Sequence, residues 1–213
     1  MQKKAGPRSR STLYDRVVFF KEFLKNPRQI GSVTPSSRVL ERRIVEIAGV
    51  ASARLVVELG AGTGGTTRAI LDAMGPDARL VVVEINRQFC TLLRRIDDPR
   101  LVVHCGSASD LRDAVSQYDL RAPDAVISGI PFSTIERRAG SLILETISSL
   151  LAPGGRFVAY QWRSRVDDLS RPLLGPARVE VALLNIPPQR LYWWEKLAQQ
   201  PSVEEDRSLA AVG

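Results

Sequence analysis

The chain contains very little histidine and cysteine. His104 is its one histidine, which argues against a histidine-rich zinc or iron site, because such sites need several imidazole or thiolate ligands. Cys90 and Cys105 are its only cysteines, too few for the disulfide framework of a small secreted domain. We therefore expect no bound metal and a reducing compartment.

Long apolar runs are also missing. No stretch approaches the ~18 apolar residues of a membrane-spanning helix, and charged residues interrupt the segment after the N-terminal MQKKAGPRSR, which excludes a signal-peptide core. A hydrophobic content of 44% over 213 residues is ordinary for a globular protein. We expect a cytoplasmic protein with a helical N-terminal extension (1–50), one main domain (51–198) and a flexible tail (199–213).

The positive charge is concentrated at the N-terminus. Residues 1–43 contain eleven basic and three acidic residues, a net charge of +8, whereas the rest of the chain contains 19 basic and 20 acidic residues and sums to −1. A basic arm of this kind attracts the phosphates of nucleic acid or of an anionic membrane surface. A solvated tail is the alternative interpretation.

From residue 54 onward, short apolar runs alternate with helical patterns. The runs are nearly continuous, as in strands buried on both faces of a parallel sheet, and cover 54–59, 79–85, 101–105, 124–130 and 155–162. Helical patterns separate the strands at 64–75, 86–96 and 133–151. Two later runs, 177–185 and 190–197, have no long helix between them. This order predicts a Rossmann-like α/β fold, a doubly wound and mostly parallel seven-stranded sheet with an antiparallel C-terminal strand, plus N-terminal helices.

A glycine-rich loop, VVELGAGTGG, follows the first of these strands and opens a helix. Glycines there let the backbone approach an adenosine ligand closely, and Glu84 lies where dinucleotide enzymes keep their ribose-binding acid, so spacing alone leaves NAD open. Glu58 separates the alternatives, because a carboxylate in a buried strand needs a partner. S-adenosylmethionine offers an ammonium and a sulfonium, and it has no pyrophosphate for the carboxylate to repel.

Together with VVVEIN, LLAPGGRFV and the closing pair of strands, this loop resembles the class I S-adenosylmethionine-dependent methyltransferases over residues 54 to about 195. The resemblance implies S-adenosylmethionine as the cofactor. Ser107 replaces the acid that these enzymes usually have beside the adenine, so backbone amides assisted by Ser107 or Asp110 are expected there. The cofactor-binding residues that the resemblance implies are Glu58, Gly60, Ala61, Gly62, Gly64, Glu84, Ile85, Ser107, Ala108 and Ser128.

The segment after the fourth predicted strand bears on the substrate. Family members that methylate a base amine have Asn or Asp there, then a variable residue, Pro and an aromatic residue, because the amide or carboxylate accepts from the amine while the aromatic ring stacks on the base. This chain has Gly129, Ile130, Pro131 and Phe132. Without an acceptor at position 129, methylation of rRNA adenine is disfavoured, and nucleic acid is not an expected partner.

A second resemblance points to lipids. The segments FLKNPRQIGSVTPSSRVL (23–40), SGIP (128–131) and LLNIPPQRLYWW (183–194) are similar to bacterial phospholipid N-methyltransferases, which methylate phosphatidylethanolamine. Ser36 or Ser37 is expected to cap a helix that runs to Ala48. The resemblance implies N-methylation of a lipid head-group amine, with an ornithine-lipid N-methyltransferase, an rRNA adenine N6-methyltransferase and a non-catalytic adenosine-binding module as alternatives.

An amine that attacks a methyl group must be neutral, so the site has to desolvate or hydrogen-bond it. The candidates to hold it are Ser128, Gln161 and Tyr192, whereas His104 is expected to be structural.

Apolar residues at helical spacing within 11–25, surrounded by basic residues, predict a helix that docks on an anionic membrane. We therefore expect peripheral association with the inner face of the membrane.

Overall fold

The computed structural model describes residues 35–117, 121–161, 163–182 and 189–197, with side chains from residue 38 onward. The predicted membrane-docking helix at 11–25 and the predicted tail at 199–213 lie outside the described residues. No helix in the described ranges is long and apolar enough to cross a membrane.

Helices and strands alternate along most of the described chain. The helices are α1 (Pro35–Ala48), α2 (Gly65–Ala73), α3 (Arg87–Leu93), α4 (Leu111–Ser116), α5 (Arg137–Leu150) and α6 (Arg165–Leu174), with 3-10 turns at Val50–Ser52 and Ala108–Asp110. The strands are β1 (Leu55–Leu59), β2 (Arg79–Glu84), β3 (Leu101–Cys105), β4 (Ala125–Ser128), β5 (Arg156–Gln161), β6 (Arg178–Ala182) and β7 (Gln189–Glu195).

The seven strands form one sheet in the order β3-β2-β1-β4-β5-β7-β6. Strands β1 to β5 pair in parallel, and β7 is antiparallel to both β5 and β6. This arrangement confirms the predicted fold. The chain order reverses between β1 and β4, and the crevice at the carboxyl ends of strands beside such a reversal is where doubly wound sheets bind their ligands.

The two faces of the sheet are covered by different helices. One apolar cluster joins the sheet to α4, α5 and α6, and the other joins it to α1, α2 and α3. Side chains alternate between these two faces along each strand, so the sequence position of a strand residue decides which cluster it enters. Helix α1 takes part through Ile44, Ile47 and Ala48, which are at most 7% exposed, so this part of the N-terminal extension packs on the domain.

Three local features differ from the sequence prediction. Helices α4 and α6 were not predicted, and α6 contains Pro172 within a segment of which half is polar. It forms because Val166 and Leu169 make one apolar stripe that packs on the sheet cluster. Helix α1 begins at Pro35, so Ser36 and Ser37 lie in its first turn and the expected cap at these serines is wrong.

Candidate active site

The glycine-rich loop connects β1 to α2 at the carboxyl edge of the sheet. Gly60 donates its backbone N–H to the Val83 carbonyl at 2.9 Å, which continues the pairing of β1 with β2 by one residue. Gly62 has a φ of 57°, and a Cβ added to it would meet no atom within 4 Å. Its missing side chain therefore faces open space at the crevice, where a ligand can approach the backbone.

Glu84, the last residue of β2, connects the glycine-rich loop to the segment after β2 through hydrogen bonds. It is 4% exposed; its Oε2 accepts from the Gly62 N–H at 3.0 Å and its Oε1 accepts from the Asn86 N–H at 2.8 Å. Each carboxylate oxygen has a second lone pair, so the group can also accept from a pair of ribose hydroxyls. Ile85 follows it and is 61% exposed, an apolar surface that an adenine ring would cover.

The loop after β3 holds the residues expected beside the adenine. Ser107 donates its backbone N–H to Asp110 Oδ2 at 3.0 Å, and its own Oγ accepts from the Ser109 N–H at 3.1 Å. The two side chains thus cap the 3-10 turn that contains Ala108. This capping holds the loop shape and leaves the Ser107 hydroxyl hydrogen for another acceptor.

Glu58 lies on β1, directly before the glycine-rich loop. It is completely buried, its Oε2 accepts from Thr67 Oγ1 at 2.6 Å, and its Oε1 has no hydrogen-bond partner. Its pKa is raised to about 8, mainly by burial; the Thr67 hydrogen bond lowers the pKa, and the charges of Glu84 and Glu41 add to the rise. A buried carboxyl group with an unpartnered oxygen fits a cationic ligand, and the ammonium of S-adenosylmethionine is one. When bound, this cofactor supplies an electrophilic methyl group.

Gly129, directly after β4, has no room for a side chain. An added Cβ would collide with the Tyr160 hydroxyl, and it would lie 2.8 Å from Tyr160 Cζ and 2.9 Å from the Gly60 carbonyl oxygen. Phe132, the aromatic residue of the same segment, is fully buried in the core cluster under α5 and α6. The position where base-methylating enzymes present an acceptor is therefore filled by the ring of Tyr160, and Phe132 offers no stacking surface.

The three side chains predicted to hold the amine lie on the other face of the sheet. Ser128 is fully buried and its Oγ accepts from the Ile130 N–H at 3.3 Å. Gln161 and Tyr192 are 6% and 2% exposed, and neither side-chain amide nor hydroxyl has a hydrogen-bond partner. The structure does not bring these three to the face of Glu58 and Tyr160, and their contact with an amine stays a prediction.

Tyr160 is the site residue that sequence reasoning missed. It lies one position before Gln161 on β5, and strand alternation turns it toward the face of Glu58. The available signal was a tyrosine at the carboxyl end of a strand beside the Gly129 segment, but the pairing of Ser128 with Ala159 that brings the two together is a property of the sheet.

The two cysteines, too few to predict a disulfide framework, form a disulfide between α3 and the end of β3, with Cα atoms 5.9 Å apart. Cys90 Sγ also lies 3.2 Å from the Glu84 carbonyl oxygen. The bridge therefore joins the helix that follows Glu84 to the end of the strand that pairs with it. The expectation of a reducing compartment stays a prediction.

Known proteins are similar to this chain in sequence and in fold. A methyltransferase-domain family model matches residues 56–155. An ornithine lipid N-methyltransferase of Singulisphaera acidiphila is 34% identical over 145 residues, which cover 67% of this chain and 76% of that protein. A ribosomal RNA small subunit methyltransferase A of Phenylobacterium zucineum is 31% identical over 96 residues, which cover 44% of this chain and 32% of that protein.

Among solved structures, the N-methyltransferase NodS of Bradyrhizobium japonicum WM9 in complex with S-adenosyl-L-homocysteine superposes with a TM-score of 0.68 at 13% identity, over 85% of this chain and 98% of that one. This likeness shows a common fold. The family match spans the glycine-rich loop, Glu84 and the end of β4, the segments that form the site described above. The chain therefore belongs to the class I S-adenosylmethionine-dependent methyltransferases, and it is an N-methyltransferase with S-adenosylmethionine as its cofactor.

Proposed function

We propose that this enzyme methylates the head-group amine of a membrane lipid, with ornithine lipid as the first candidate substrate and phosphatidylethanolamine as the second. The similarity to an ornithine lipid N-methyltransferase, which extends over 76% of that protein, supports the first candidate. The segments that resemble phospholipid N-methyltransferases support the second. Both substrates present an aliphatic amine next to acyl chains.

The observation that carries the proposal is the filled space at Gly129. A planar base amine needs a side-chain acceptor at this position and an aromatic face to stack on. Here the ring of Tyr160 and the Gly60 carbonyl occupy the space of that side chain, and Phe132 is buried. A small tetrahedral amine on a flexible head group needs neither feature, so the geometry favours a lipid amine over rRNA adenine.

The chemistry requires a neutral amine at the crevice. A primary ammonium such as that of lysine has a pKa of about 10.4 in water, and burial lowers this value because it disfavours the charged form. The nitrogen lone pair forms a bond to the methyl carbon while the carbon–sulfur bond breaks, and the nitrogen then releases a proton to solvent. The protein contributes mainly by holding the nitrogen in line with the methyl group.

The test compares substrates in one assay. Purified protein and methyl-labelled S-adenosylmethionine are incubated with ornithine lipid, phosphatidylethanolamine or 16S rRNA, the lipids in detergent micelles. We expect label in lipid, with a higher kcat/KM for ornithine lipid than for phosphatidylethanolamine. The reverse order would exchange the two candidates, and faster labelling of rRNA than of either lipid would refute the proposal.

We further propose that the protein works at an anionic inner membrane surface through its basic N-terminal segment. Residues 1–43 have a net charge of +8, and each basic residue near anionic lipid contributes about 1 kcal/mol, less as salt rises. The full chain should float with phosphatidylglycerol vesicles and much less with neutral ones. A protein lacking residues 1–28 should stay in solution; equal flotation of the truncated protein would transfer the role to another surface, such as exposed Val179 and Val181 on β6.

A further inference from the structure

Tyr160 stands where the two loops of the active site meet. Gly129 follows β4 and Gly60 follows β1, and a Cβ on Gly60 would lie 3.3 Å from Ile130 Cγ1 and 3.6 Å from the Gly129 carbonyl carbon. The Tyr160 hydroxyl fills the space beside Gly129, next to the Gly60 carbonyl. A phenol is therefore placed between the cofactor loop and the acceptor segment, at the point where the sheet order reverses.

The surroundings of the phenol are acidic. The carboxyl groups of Glu58, Glu41 and Glu84 lie close enough to its hydroxyl to act on its charge. Burial raises the pKa of Tyr160, and these three acids raise it further, so the phenol stays neutral at physiological pH. A neutral phenol cannot act as a general base there, but its oxygen can still accept a hydrogen bond.

Resting on the function proposed above, we propose that the Tyr160 hydroxyl accepts a hydrogen bond from the acceptor nitrogen and holds it in line with the methyl group. It would thus replace the side chain that base-methylating enzymes have at position 129. The ring takes the room that a planar base would need, so the same residue selects a small aliphatic amine.

The hydrogen bond strengthens during the reaction. As the nitrogen attacks the methyl carbon it becomes positively charged, and its remaining N–H groups become better donors. An interaction that is stronger in the transition state than in the ground state raises kcat. Tyr160→Phe should therefore lower kcat more than it raises KM.

The number of methyl groups already present on the nitrogen gives a more specific readout. A neutral primary amine has two N–H groups and a secondary amine has one, whereas a tertiary amine has none. Tyr160 can therefore hold the nitrogen in the first and second methyl transfers but not in a third. A residue that only supported the fold would affect all three transfers alike.

The experiment measures methylation of the unmethylated, monomethylated and dimethylated lipid by the wild type, by Tyr160→Phe and by Ser170→Ala. Ser170 is a matched control, because its buried hydroxyl has no hydrogen-bond partner and lies on α6, on the opposite face of the sheet. For Tyr160→Phe we expect kcat/KM to fall about 10- to 100-fold for the first two substrates, the range of a hydrogen bond to a charged group. The third transfer and the Kd for S-adenosylmethionine should change less than about threefold, and Ser170→Ala should behave like the wild type.

Several results would overturn the inference. Equal loss for all three substrates would assign Tyr160 a structural role, a matching loss of cofactor affinity would place it on the cofactor, and unchanged kinetics would remove it from the site. A wild type that labels no lipid would instead refute the proposed function, and the inference with it. If Tyr160→Phe does not fold, the ring-carbon NMR signal of Tyr160 in the wild type provides the test, and it is assigned by replacing the other three tyrosines. This signal should shift when the lipid amine is added and not when its trimethylated form is added. The same response to both would count against the hydrogen bond.

Discussion

Replacing Glu58 with Gln should make the cofactor-free protein more stable while weakening its cofactor binding. The substitution keeps the size and shape of the side chain and removes its charge. In the wild type this carboxyl group is fully buried and one of its oxygens has no partner. Ionising it in the absence of a cation is costly, because no water reaches the charge.

The pKa of Glu58 gives the magnitude and the sign of its effect on the free energy of unfolding. The pKa of Glu58 is about 8 in the folded protein against an ordinary value of 4.5. Between these values the folded protein retains a proton that the unfolded chain has released, so the free energy of unfolding falls by about 1.4 kcal/mol per pH unit. The contribution of protonated Glu58 to stability is fully present below pH 4.5 and is lost as the pH rises through 8. At pH 7 the loss amounts to about 3 kcal/mol.

Urea denaturation between pH 5 and 9 measures this effect. Glu58→Gln should exceed the wild type by less than about 1 kcal/mol near pH 5 and by up to about 3 kcal/mol at pH 7, with a flatter pH dependence. Glu145→Gln, a change at an exposed glutamate on α5, should alter the free energy of unfolding by less than about 0.5 kcal/mol. A Glu58→Gln protein that is less stable than the wild type at pH 7, or that keeps the wild-type pH dependence, would refute the reasoning.

Cofactor binding gives the second half of the prediction. A cationic ligand favours the ionised form of Glu58, so binding should release a proton below pH 8 and the wild-type Kd for S-adenosylmethionine should decrease as the pH rises toward 8. Calorimetry in buffers with different ionisation enthalpies detects the proton. Glu58→Gln should bind at least about tenfold more weakly and release none.

Three further predictions concern other parts of the site. Gly62→Val should abolish S-adenosylmethionine binding in calorimetry, because the valine side chain would occupy the open space of the crevice and the backbone there has a φ of 57°. Normal affinity would contradict the assignment of the loop. Gly129→Asn should not confer adenine methylation and should destabilise the protein by about 1 to 3 kcal/mol in urea denaturation, since its Cβ would lie 2.9 Å from the Gly60 carbonyl oxygen; label in rRNA would contradict this. Reducing the disulfide, whose cysteines are 15 residues apart, should lower the free energy of unfolding by about 3 kcal/mol, and two titratable thiols in protein purified without reductant would argue against the bridge.

The cofactor side of the site could be predicted from the sequence because its signals are local. A buried strand with an acid as its penultimate residue, a glycine-rich turn and a helix start lie within about a dozen consecutive residues, and each has its own pattern of composition. Glu58 was expected to lie in a buried strand and to need a partner; it is fully buried, with one oxygen bonded to Thr67 and the other unpartnered. The five nearly continuous apolar runs likewise identified β1 to β5, and the two later runs identified β6 and β7, which together are the strands of the described residues.

Helix α6 escaped the sequence prediction because its stabilisation is not local. Its segment is short, half polar and interrupted by Pro172, so propensity alone argues for a loop. The helix is stabilised by packing Val166 and Leu169 against the sheet cluster, and such contacts can be recognised only when the neighbouring elements are in place.

The amino-acid sequence by itself determined the sheet, the glycine-rich loop and the loss of a side chain at position 129, since each depends on residue type and short spacing. Only the tertiary structure decided what fills that space. Gly129 and Tyr160 are 31 positions apart, and the parallel register of β4 with β5 makes them neighbours. Strand alternation then directs Tyr160 toward Glu58 and turns Gln161 to the opposite face, because successive side chains of a strand point to opposite sides of the sheet.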